Sequence, residues 1–161
     1  MPGTGLTTLR LGSATVGPLI SYESTFTDMR RRHARAGVDM TLVQAAATTF
    51  QGTWALPQQA SFEAVRAVES GRPAVLVAVG GTSAAFDARG RRLAWVDQHE
   101  TGAWTVSVPL SQEETLFVRW GDWAPAACLV VVVAAALVAW VPVRRVRQHR
   151  VPSRLGGQGA R

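Results

Sequence analysis

The chain has 161 residues, with 17 Lys+Arg, 11 Asp+Glu and a formal net charge of +6. Every basic residue is Arg, so chemistry that needs a lysine of this chain, such as a Schiff base, is excluded. The single cysteine, Cys128, excludes a disulfide framework and a CxxC pair. His33, His99 and His149 lack the spacing of a metal site, so we expect neither a metal nor another cofactor.

The charge is unevenly distributed along the chain. Residues 1–123 contain 11 Arg and 11 acidic residues, whereas residues 144–161 contain six Arg and no acid. The net charge is therefore that of the C-terminal tail. A basic face for nucleic acid on the main domain is not supported, and we expect no nucleic-acid partner.

Residues 123–143 form an uncharged segment of 21 residues. This length is sufficient to cross a bilayer core of about 30 Å. Trp123 and Trp140 lie near its ends, as interfacial tryptophans do. The alternative is a buried core helix, which seldom stays uncharged for so long. We predict a single-pass protein of the cell membrane, with a domain at 1–122, a transmembrane helix at 123–143 and a disordered basic tail at 144–161.

The membrane topology contains a conflict. The Arg-rich tail predicts a cytoplasmic C-terminus and therefore an extracytoplasmic domain. Residues 1–20, however, do not have the basic start and apolar core of a signal peptide. Either an upstream segment is missing from the sequence, or the topology is inverted relative to the charges.

The first predicted elements form a βαβ unit. Thr25 and Asp28 have the spacing of a capping box for a helix that runs to Ala36, with Gly37 after its end. The strands before and after this helix should be parallel and buried. We predict strands at 7–11, 15–22 and 40–45.

The second half of the domain begins with a loop and a helix. Pro57 fits the first turn of that helix, and Phe62, Val65 and Val68 recur at helical spacing as an apolar stripe. Gly71 and Pro73 should end it. We then predict a buried strand at 74–79, a hairpin of strands 83–86 and 91–96, a further strand at 103–108, and a surface loop at Glu113 and Glu114. The fold class is α/β, followed by one C-terminal transmembrane helix.

Ser21, Tyr22 and Glu23 are the candidate catalytic residues. They follow a predicted buried strand and precede a helix, where active sites of open α/β sheets form. Ser21 would be an exposed nucleophile, and the Glu23 carboxylate could orient a partner or move a proton. The simpler alternative is an ordinary serine at the end of a strand.

Three segments resemble one family. The run V-G-P-L-I-S-Y-E-S-T-F resembles the nucleophile segment of the nitrilase (carbon–nitrogen hydrolase) superfamily, most closely its apolipoprotein N-acyltransferase branch. The run P-Q-Q-A-S-F-E-A-V-R-A-V-E-S-G-R-P resembles a helix of that branch, and G-T-S-A-A-F-D-A-R-G resembles its hairpin. The likeness covers about residues 10–145, in the right order.

The resemblance implies a fold and an activity. The fold is part of a nitrilase-like αββα sandwich. The branch transfers an acyl chain from a phospholipid to the N-terminal amine of a lipid-modified cysteine, through a thioester on a catalytic Cys. A general-base Glu and a Lys precede that Cys, and a further Glu follows it. The implied partners are membrane lipid and the N-terminus of a lipoprotein.

This sequence departs from the family at several positions. Ser21 occupies the position of the Cys, although Tyr22 and Glu23 match. Gln59 stands where the family usually has His, no Lys is present, and only 20 residues precede Ser21. A serine hydroxyl is much harder to ionise than a thiol. We therefore expect the chain to be inactive or very weak by itself.

Three explanations fit these departures: a degenerate remnant, a complete small binding protein, or a reading frame whose start is placed too late. The alternative function is a non-catalytic, membrane-anchored binding or scaffold module. Half a sandwich exposes an apolar sheet face that needs a partner. That partner would be a full-length paralogue or the missing N-terminal half.

Other candidate sites are weaker. A triad of Ser21, His33 and Asp39 can be written, but the Arg-rich surroundings favour a solvated His33. Asp97 and His99 fit a surface pair. A solvated helix face is preferred over contact with anionic lipid for Arg30, Arg31, Arg32 and Arg35. Most of the domain's tryptophans, Trp54, Trp95, Trp104 and Trp120, should lie in the core or at the membrane surface.

Overall fold

The computed structural model describes residues 5–148, so residues 149–161 of the predicted tail lie outside the described residues. One mixed sheet of six strands has the order β1-β2-β3-β4-β5-β6. The strands are β1 Leu9–Leu11, β2 Ala14–Ile20, β3 Met40–Ala46, β4 Ala74–Val79, β5 Ser83–Phe86 and β6 Arg92–Val96. The helices are α1 Thr27–Arg35, α2 Ala55–Ser70, α3 Leu116–Trp120 and α4 Trp123–Gln148, with 3₁₀ helices at Ser21–Thr25 and Thr48–Phe50.

The predicted βαβ unit is present. Strands β2 and β3 are parallel, with Leu19 opposite Val43, and β3 and β4 are also parallel. The predicted hairpin forms between β5 and β6. Its turn is held by Asp87, whose Oδ1 accepts hydrogen bonds of 2.9 Å from the backbone N–H groups of Arg89 and Arg91.

The hydrophobic core lies between the sheet and the helices. Leu19, Val43 and Leu76 of the sheet are buried against Ala60 and Ala67 of α2. Because side chains alternate along a strand, the residues between these core positions point to the opposite face. That face is apolar and open, with Ile20 67%, Val77 52% and Val79 69% exposed. The structure thus provides one αβ layer, with an uncovered sheet face.

The start of α1 differs from the prediction. Thr25 does not cap the helix, because it closes the 3₁₀ helix Ser21–Thr25 and its Oγ1 donates a hydrogen bond of 2.8 Å to Tyr22 O. The N-cap of α1 is Phe26, without a side-chain hydrogen bond. The predicted end is confirmed, because Gly37 follows the helix with a φ of 75°.

The predicted apolar stripe of α2 is on the wrong face. Phe62, Val65 and Val68 are exposed. The buried face carries Leu56, Ala60, Glu63, Ala67 and Ser70. Its small residues allow the helix to lie close to the sheet, and Glu63 is buried because it pairs with Arg30 of α1. Hydrophobic spacing alone could not reveal an ion pair between two helices.

The arginines of helix α1 do not all lie on the solvated face that the sequence predicted. Arg30 is buried, and its Nη1 donates a hydrogen bond of 2.6 Å to Thr41 Oγ1 at the start of β3. Arg31 and Arg35 donate from Nε to Val118 O at 3.1 and 3.0 Å. These bonds satisfy a carbonyl in α3, a short helix that the sequence pattern did not predict. Arg32 and Arg35 are exposed, as predicted, whereas Arg31 is half-buried.

The predicted strand at 103–108 is absent. Within the described part of the chain, this segment has no strand partner and lies outside the sheet. Trp54, Trp104 and Trp120 are exposed and do not lie in the core, so for these three the alternative position at the membrane surface stays a prediction. Trp95 of β6 packs against the core. Glu113 and Glu114 are exposed, as predicted.

The chain divides into two compact units between Gly121 and Asp122. The second unit contains α4, a helix of 26 residues. Among the described residues, the window Trp123–Trp140 of this helix is long and apolar enough to cross a membrane, and none of it is buried. This exposure disfavours the alternative of a buried core helix.

Candidate functional site

The candidate nucleophile occupies a strained turn at the end of β2. Ser21 has a φ of 50°, and among the described residues it is the only residue other than glycine with a positive φ. A side chain in this left-handed region costs about 1–2 kcal/mol. Such strain is concentrated at functional sites, where surrounding contacts hold it in place. The turn lies at the carboxyl edge of the parallel strands, as the sequence predicted.

Glu23 holds this turn together. Its Oε2 accepts a hydrogen bond of 2.8 Å from the backbone N–H of Ile20. The carboxylate therefore folds back on the end of β2, where it stabilises the conformation that carries Ser21. The structure supports a positioning role for Glu23, and a proton-transfer role stays a prediction.

Arg66 of α2 supports the same turn from the helix layer. Its Nη2 donates a hydrogen bond of 2.7 Å to Thr25 O, and its Nη1 pairs with Glu69 Oε2 at 2.6 Å. Arg66 was not among the site residues predicted from the sequence. The available signal was the R-A-V-E-S-G-R-P run, in which Arg66 and Glu69 are three residues apart and thus neighbours on a helix.

A pocket of about 310 Å³ lies beside the turn, and Ser21 and Tyr22 both contribute to its wall. Most of its lining is apolar, which suits an apolar ligand oriented by a few polar groups. Gln59, at the position where the family usually has His, is one of the polar lining residues. Besides Ser21, Tyr22 and Gln59, the pocket is lined by Thr25, Ala45, Ala46, Ala47, Phe50, Ala55, Leu56, Gln58 and Phe62.

Two of the three predicted site residues therefore meet at the pocket. Tyr22 is exposed, and its ring makes an edge-to-face contact with Phe26 at a centroid distance of 5.9 Å. Ser21 Oγ has no hydrogen-bond partner among residues 5–140. No described side chain is thus in place to accept its proton.

The alternative triad is not assembled. His33 is buried, so the prediction of a solvated histidine is wrong, and its Nε2 lies 3.1 Å from Thr7 O. Burial lowers the pKa of His33, an effect that exceeds the opposing one of the Thr7 carbonyl. Asp39 binds elsewhere, accepting 2.6 Å hydrogen bonds from Thr15 N and Gln112 Nε2. These two bonds lower the pKa of Asp39.

Asp97 and His99 form the predicted surface pair. Both are exposed, and Asp97 Oδ1 accepts a hydrogen bond of 3.1 Å from the backbone N–H of His99. This is a local turn contact between a carboxylate and the backbone, so it provides no catalytic arrangement.

Comparison with known families identifies the domain. Residues 1–116 match the family described as Carbon-nitrogen hydrolase. The chain belongs to this family. The resemblance noted from the sequence is thereby confirmed, and the αβ layer with its nucleophile turn is part of a carbon–nitrogen hydrolase domain.

Within this family, the chain is similar to curated apolipoprotein N-acyltransferases. The chain is 36% identical over 104 residues to the apolipoprotein N-acyltransferase of Gloeobacter violaceus, covering 65% of this chain and 20% of the relative. It is 30% identical over 149 residues to that of Geobacter metallireducens, covering 92% of this chain and 28% of the relative. The matched part of the chain thus spans 20–28% of the length of these relatives.

Solved structures show the same fold. Saccharomyces cerevisiae Nit3, a member of branch 10 of the nitrilase superfamily, matches with a TM-score of 0.55 at 22% identity, over 63% of this chain and 40% of that one. An amidase of the superfamily from Nesterenkonia sp. AN1 matches with a TM-score of 0.52 at 23% identity, over 62% and 40% of the two chains. The predicted nitrilase-like fold is therefore confirmed.

Proposed function

We propose that this chain is the nucleophile-bearing part of an apolipoprotein N-acyltransferase site, and that it is inactive or very weak by itself. The observation that carries the proposal is the strained Ser21 turn beside an apolar pocket, in a chain similar to apolipoprotein N-acyltransferases. Ser21, Tyr22 and Glu23 occupy the nucleophile segment.

The chemistry of the site would be acyl transfer in two steps. A nucleophile attacks an ester carbonyl of a phospholipid, an acyl-enzyme forms and a lysophospholipid leaves with the transferred proton. The amine of a lipoprotein N-terminus then attacks the acyl-enzyme, and the nucleophile regains its proton. Ser21 needs a general base for the first step, and the described residues place none next to its Oγ. This supports the expected low activity.

The proposal includes a location and partners. Helix α4 would cross the membrane once, with the domain outside the cytoplasm and the Arg-rich segment after it inside. The substrates would be membrane phospholipid and a lipoprotein N-terminus. A full-length paralogue or the N-terminal half of such a domain would supply the Glu and Lys that the family resemblance implies.

The second candidate function is a non-catalytic binding or scaffold module anchored in the membrane. The observation that favours it is the open apolar sheet face, on which Val77 and Val79 are exposed. A domain that lost its thiol could retain this face as a binding surface for a partner protein.

The test is transfer of an acyl chain from phospholipid to a diacylated lipopeptide. We expect the purified chain to show no transfer at an enzyme rate, with or without the N-terminal half of a relative. We expect Ser21→Cys to restore transfer only when that half is present. Ser24→Cys is the matched control, since Ser24 lies in the same turn but outside the pocket.

The results of this assay distinguish the acyltransferase function from the scaffold function. Transfer at an enzyme rate by the unmodified chain would contradict the proposed inactivity. An inactive Ser21→Cys variant that still retains a specific protein partner would favour the scaffold function.

A further inference from the structure

Three arginines meet at the corner between α1 and α3, and we call Arg31, Arg35 and Arg119 the arginine corner. Arg31 and Arg35 lie one turn apart on α1, and both donate from Nε to Val118 O and from Nη2 to Arg119 O. Because they bind the same two carbonyls, their guanidinium groups lie side by side. The guanidinium of Arg119 itself lies 5.8 Å from the ring centroid of Trp120.

The arginine corner has no counter-charge within the described part of the chain. None of its three guanidinium groups forms an ion pair there, whereas Arg30 and Arg32, the other two arginines of α1, are both paired. Like charges one turn apart on a helix repel each other. Each guanidinium of α1 also retains N–H donors beyond the two that bind carbonyls. A phosphate group would relieve this repulsion, because its oxygens match the geometry of guanidinium donors.

Apolar side chains accompany the positive charge. Leu116 and Trp120, one turn apart on α3, are 52% and 60% exposed. Tryptophan favours the boundary between a membrane and water, where its ring is apolar and its N–H is hydrated. Trp120 precedes Trp123, the first residue of the apolar window of α4, by only three residues. Since three residues of chain reach at most about 11 Å, α3 stays close to the point where that window would enter a membrane.

We propose that the arginine corner binds the phosphate head group of an anionic phospholipid, in the leaflet that faces the domain. Leu116 and Trp120 would insert beside that head group. The inference rests on the membrane crossing proposed for α4, but not on acyl transfer. A lipid is favoured over a free phosphate ion because the unpaired charge and the exposed apolar side chains occupy the same short helix. A free ion would bind the arginines and leave Leu116 and Trp120 in water.

Arg92 of β6 provides a matched control. Its guanidinium also lies 5.8 Å from a tryptophan ring, that of Trp95, and its side chain is exposed. Among the described residues it likewise has no ion pair. Arg92, however, belongs to the β5–β6 hairpin and not to the corner of α1 and α3. If any exposed arginine stacked on tryptophan bound anionic lipid, Arg92 and Arg119 would behave alike.

The experiment is amide hydrogen exchange of the full chain in nanodiscs of phosphatidylcholine that contain an increasing fraction of phosphatidylglycerol. We expect phosphatidylglycerol to slow exchange of the α3 amides. Arg119→Gln should raise the phosphatidylglycerol fraction at the midpoint about fivefold, which corresponds to about 1 kcal/mol for one basic residue near an anionic leaflet. Arg92→Gln should leave the midpoint unchanged. The C-terminal arginines are present in all these proteins, so their attraction to lipid does not affect the comparison.

Arg119 is preferred over Arg31 for this test. The side chain of Arg119 makes no hydrogen bond among the described residues, whereas Arg31 holds the carbonyls of α3. Exchange of the β3 amides in phosphatidylcholine alone should be the same in the wild type and the variant, which verifies that the domain stays folded. As a second measurement on the unsubstituted protein, added salt should reduce the effect of phosphatidylglycerol, because salt screens exposed charges.

Several results would overturn the inference. They are unchanged α3 exchange in phosphatidylglycerol, equal midpoint shifts for Arg119→Gln and Arg92→Gln, and an effect that salt does not reduce. Inorganic phosphate that slowed α3 exchange equally in phosphatidylcholine discs would indicate a site for a free anion and would also overturn it.

These readouts are independent of the acyltransferase assay. Slowed exchange in phosphatidylglycerol, without transfer by Ser21→Cys, would support the lipid site and contradict the proposed enzyme function. Transfer without slowed exchange would contradict the lipid site alone. A chain that failed to enter the discs would contradict both the membrane crossing of α4 and the lipid site.

Discussion

Arg30 in α1 donates a hydrogen bond from Nη2 to Glu63 Oε2 in α2, and the two side chains are 1% and 0% exposed. Arg30 also binds Thr41, so this one guanidinium links α1 and α2 to the start of β3. Burial lowers the pKa of Arg30, an effect that the attraction of Glu63 opposes. The pair is therefore an interdependent element of the core.

Removing one partner of this pair should be strongly destabilising. Arg30→Met or Glu63→Leu leaves a buried charge without its counter-charge, and each should lower the free energy of unfolding by about 3–5 kcal/mol. The double variant should be less destabilised than the sum of the two, by more than about 1 kcal/mol. Denaturant unfolding of the four proteins measures this coupling.

The neighbouring pair Arg32–Asp28 is the control for this cycle. It lies on the same helix with a separation of 3.0 Å, but its side chains are 70% and 59% exposed. Because water screens exposed pairs, Arg32→Met should change the free energy of unfolding by less than about 1 kcal/mol. Similar effects at Arg30 and Arg32 would contradict the interpretation that burial makes the first pair important.

The strain at Ser21 predicts a stabilising substitution. Glycine accepts a φ of 50° without steric cost, so Ser21→Gly should raise the free energy of unfolding by about 1 kcal/mol. Ser61→Gly in the middle of α2 should instead lower it by about 1 kcal/mol. Thermal or denaturant unfolding of both variants provides the comparison. If Ser21→Gly were as harmful as Ser61→Gly, Ser21 would not be strained.

Gly71 should be intolerant of a side chain for two reasons. Its φ is +64°, and a Cβ there would lie 2.4 Å from the backbone oxygen of Glu113. Gly71→Ala should therefore lower the free energy of unfolding by more than about 2 kcal/mol. Gly37→Ala is the matched control, because Gly37 has a φ of +75° and open space around it. It should cost only about 1 kcal/mol, and equal costs would mean that the contact with Glu113 is unimportant.

Buried His33 predicts that the domain loses stability in mild acid. Burial lowers the pKa of His33 below 6.5, so as the pH falls the unfolded chain takes up the proton before the folded chain does. Stability from this residue is thus complete above about pH 6.5 and declines below it. Arg30 opposes protonation further, whereas Glu23 and the Thr7 carbonyl favour it.

The measurement is the free energy of unfolding between pH 7.5 and about 5, for the wild type and for His33→Gln. The free energy of unfolding of His33→Gln should vary less with pH than that of the wild type. His99→Gln, at an exposed position, should keep the pH dependence of the wild type. The pKa values of Asp39 and Asp87 are lowered from 3.8, so these two carboxylates reduce the free energy of unfolding only as the pH falls below 3.8. That pH lies outside the measured range. Identical profiles for all three proteins would contradict the role of His33.

Much of the domain could be predicted from local sequence patterns. Strands β2 to β4 follow apolar runs, the β5–β6 hairpin follows from its turn residues, and α1 and α2 end before the predicted Gly37 and Gly71. The Ser21 turn follows from its place after β2. Local patterns misplaced the residues that depend on distant partners. The spacing of Phe62, Val65 and Val68 suggested a buried stripe, but the sheet accepts the Ala-rich face of α2 instead.

The residues of the candidate site were predicted from the sequence, but their contacts with each other and with the rest of the domain were not. The sequence identified Ser21, Tyr22 and Glu23 together. It could not show that the Glu23 carboxylate binds Ile20 N, or that Arg66 reaches Thr25 O from 41 residues away in the chain. Hydrogen bonds between distant residues depend on how helices and strands pack, which a local pattern does not contain.

The sequence by itself determined the properties that depend on composition and local order: the absence of lysine, the uncharged segment 123–143, the strand–turn–helix around Ser21 and its family likeness. Only the tertiary structure decided which side chains are buried and which strands find partners. In the folded domain the polar side chains of Arg30, Glu63 and His33 are buried, whereas the apolar side chains of Val77 and Val79 are exposed. The segment 103–108 has no partner strand in the described sheet. The physical reason is that burial and strand pairing are set by surfaces brought together from distant parts of the chain.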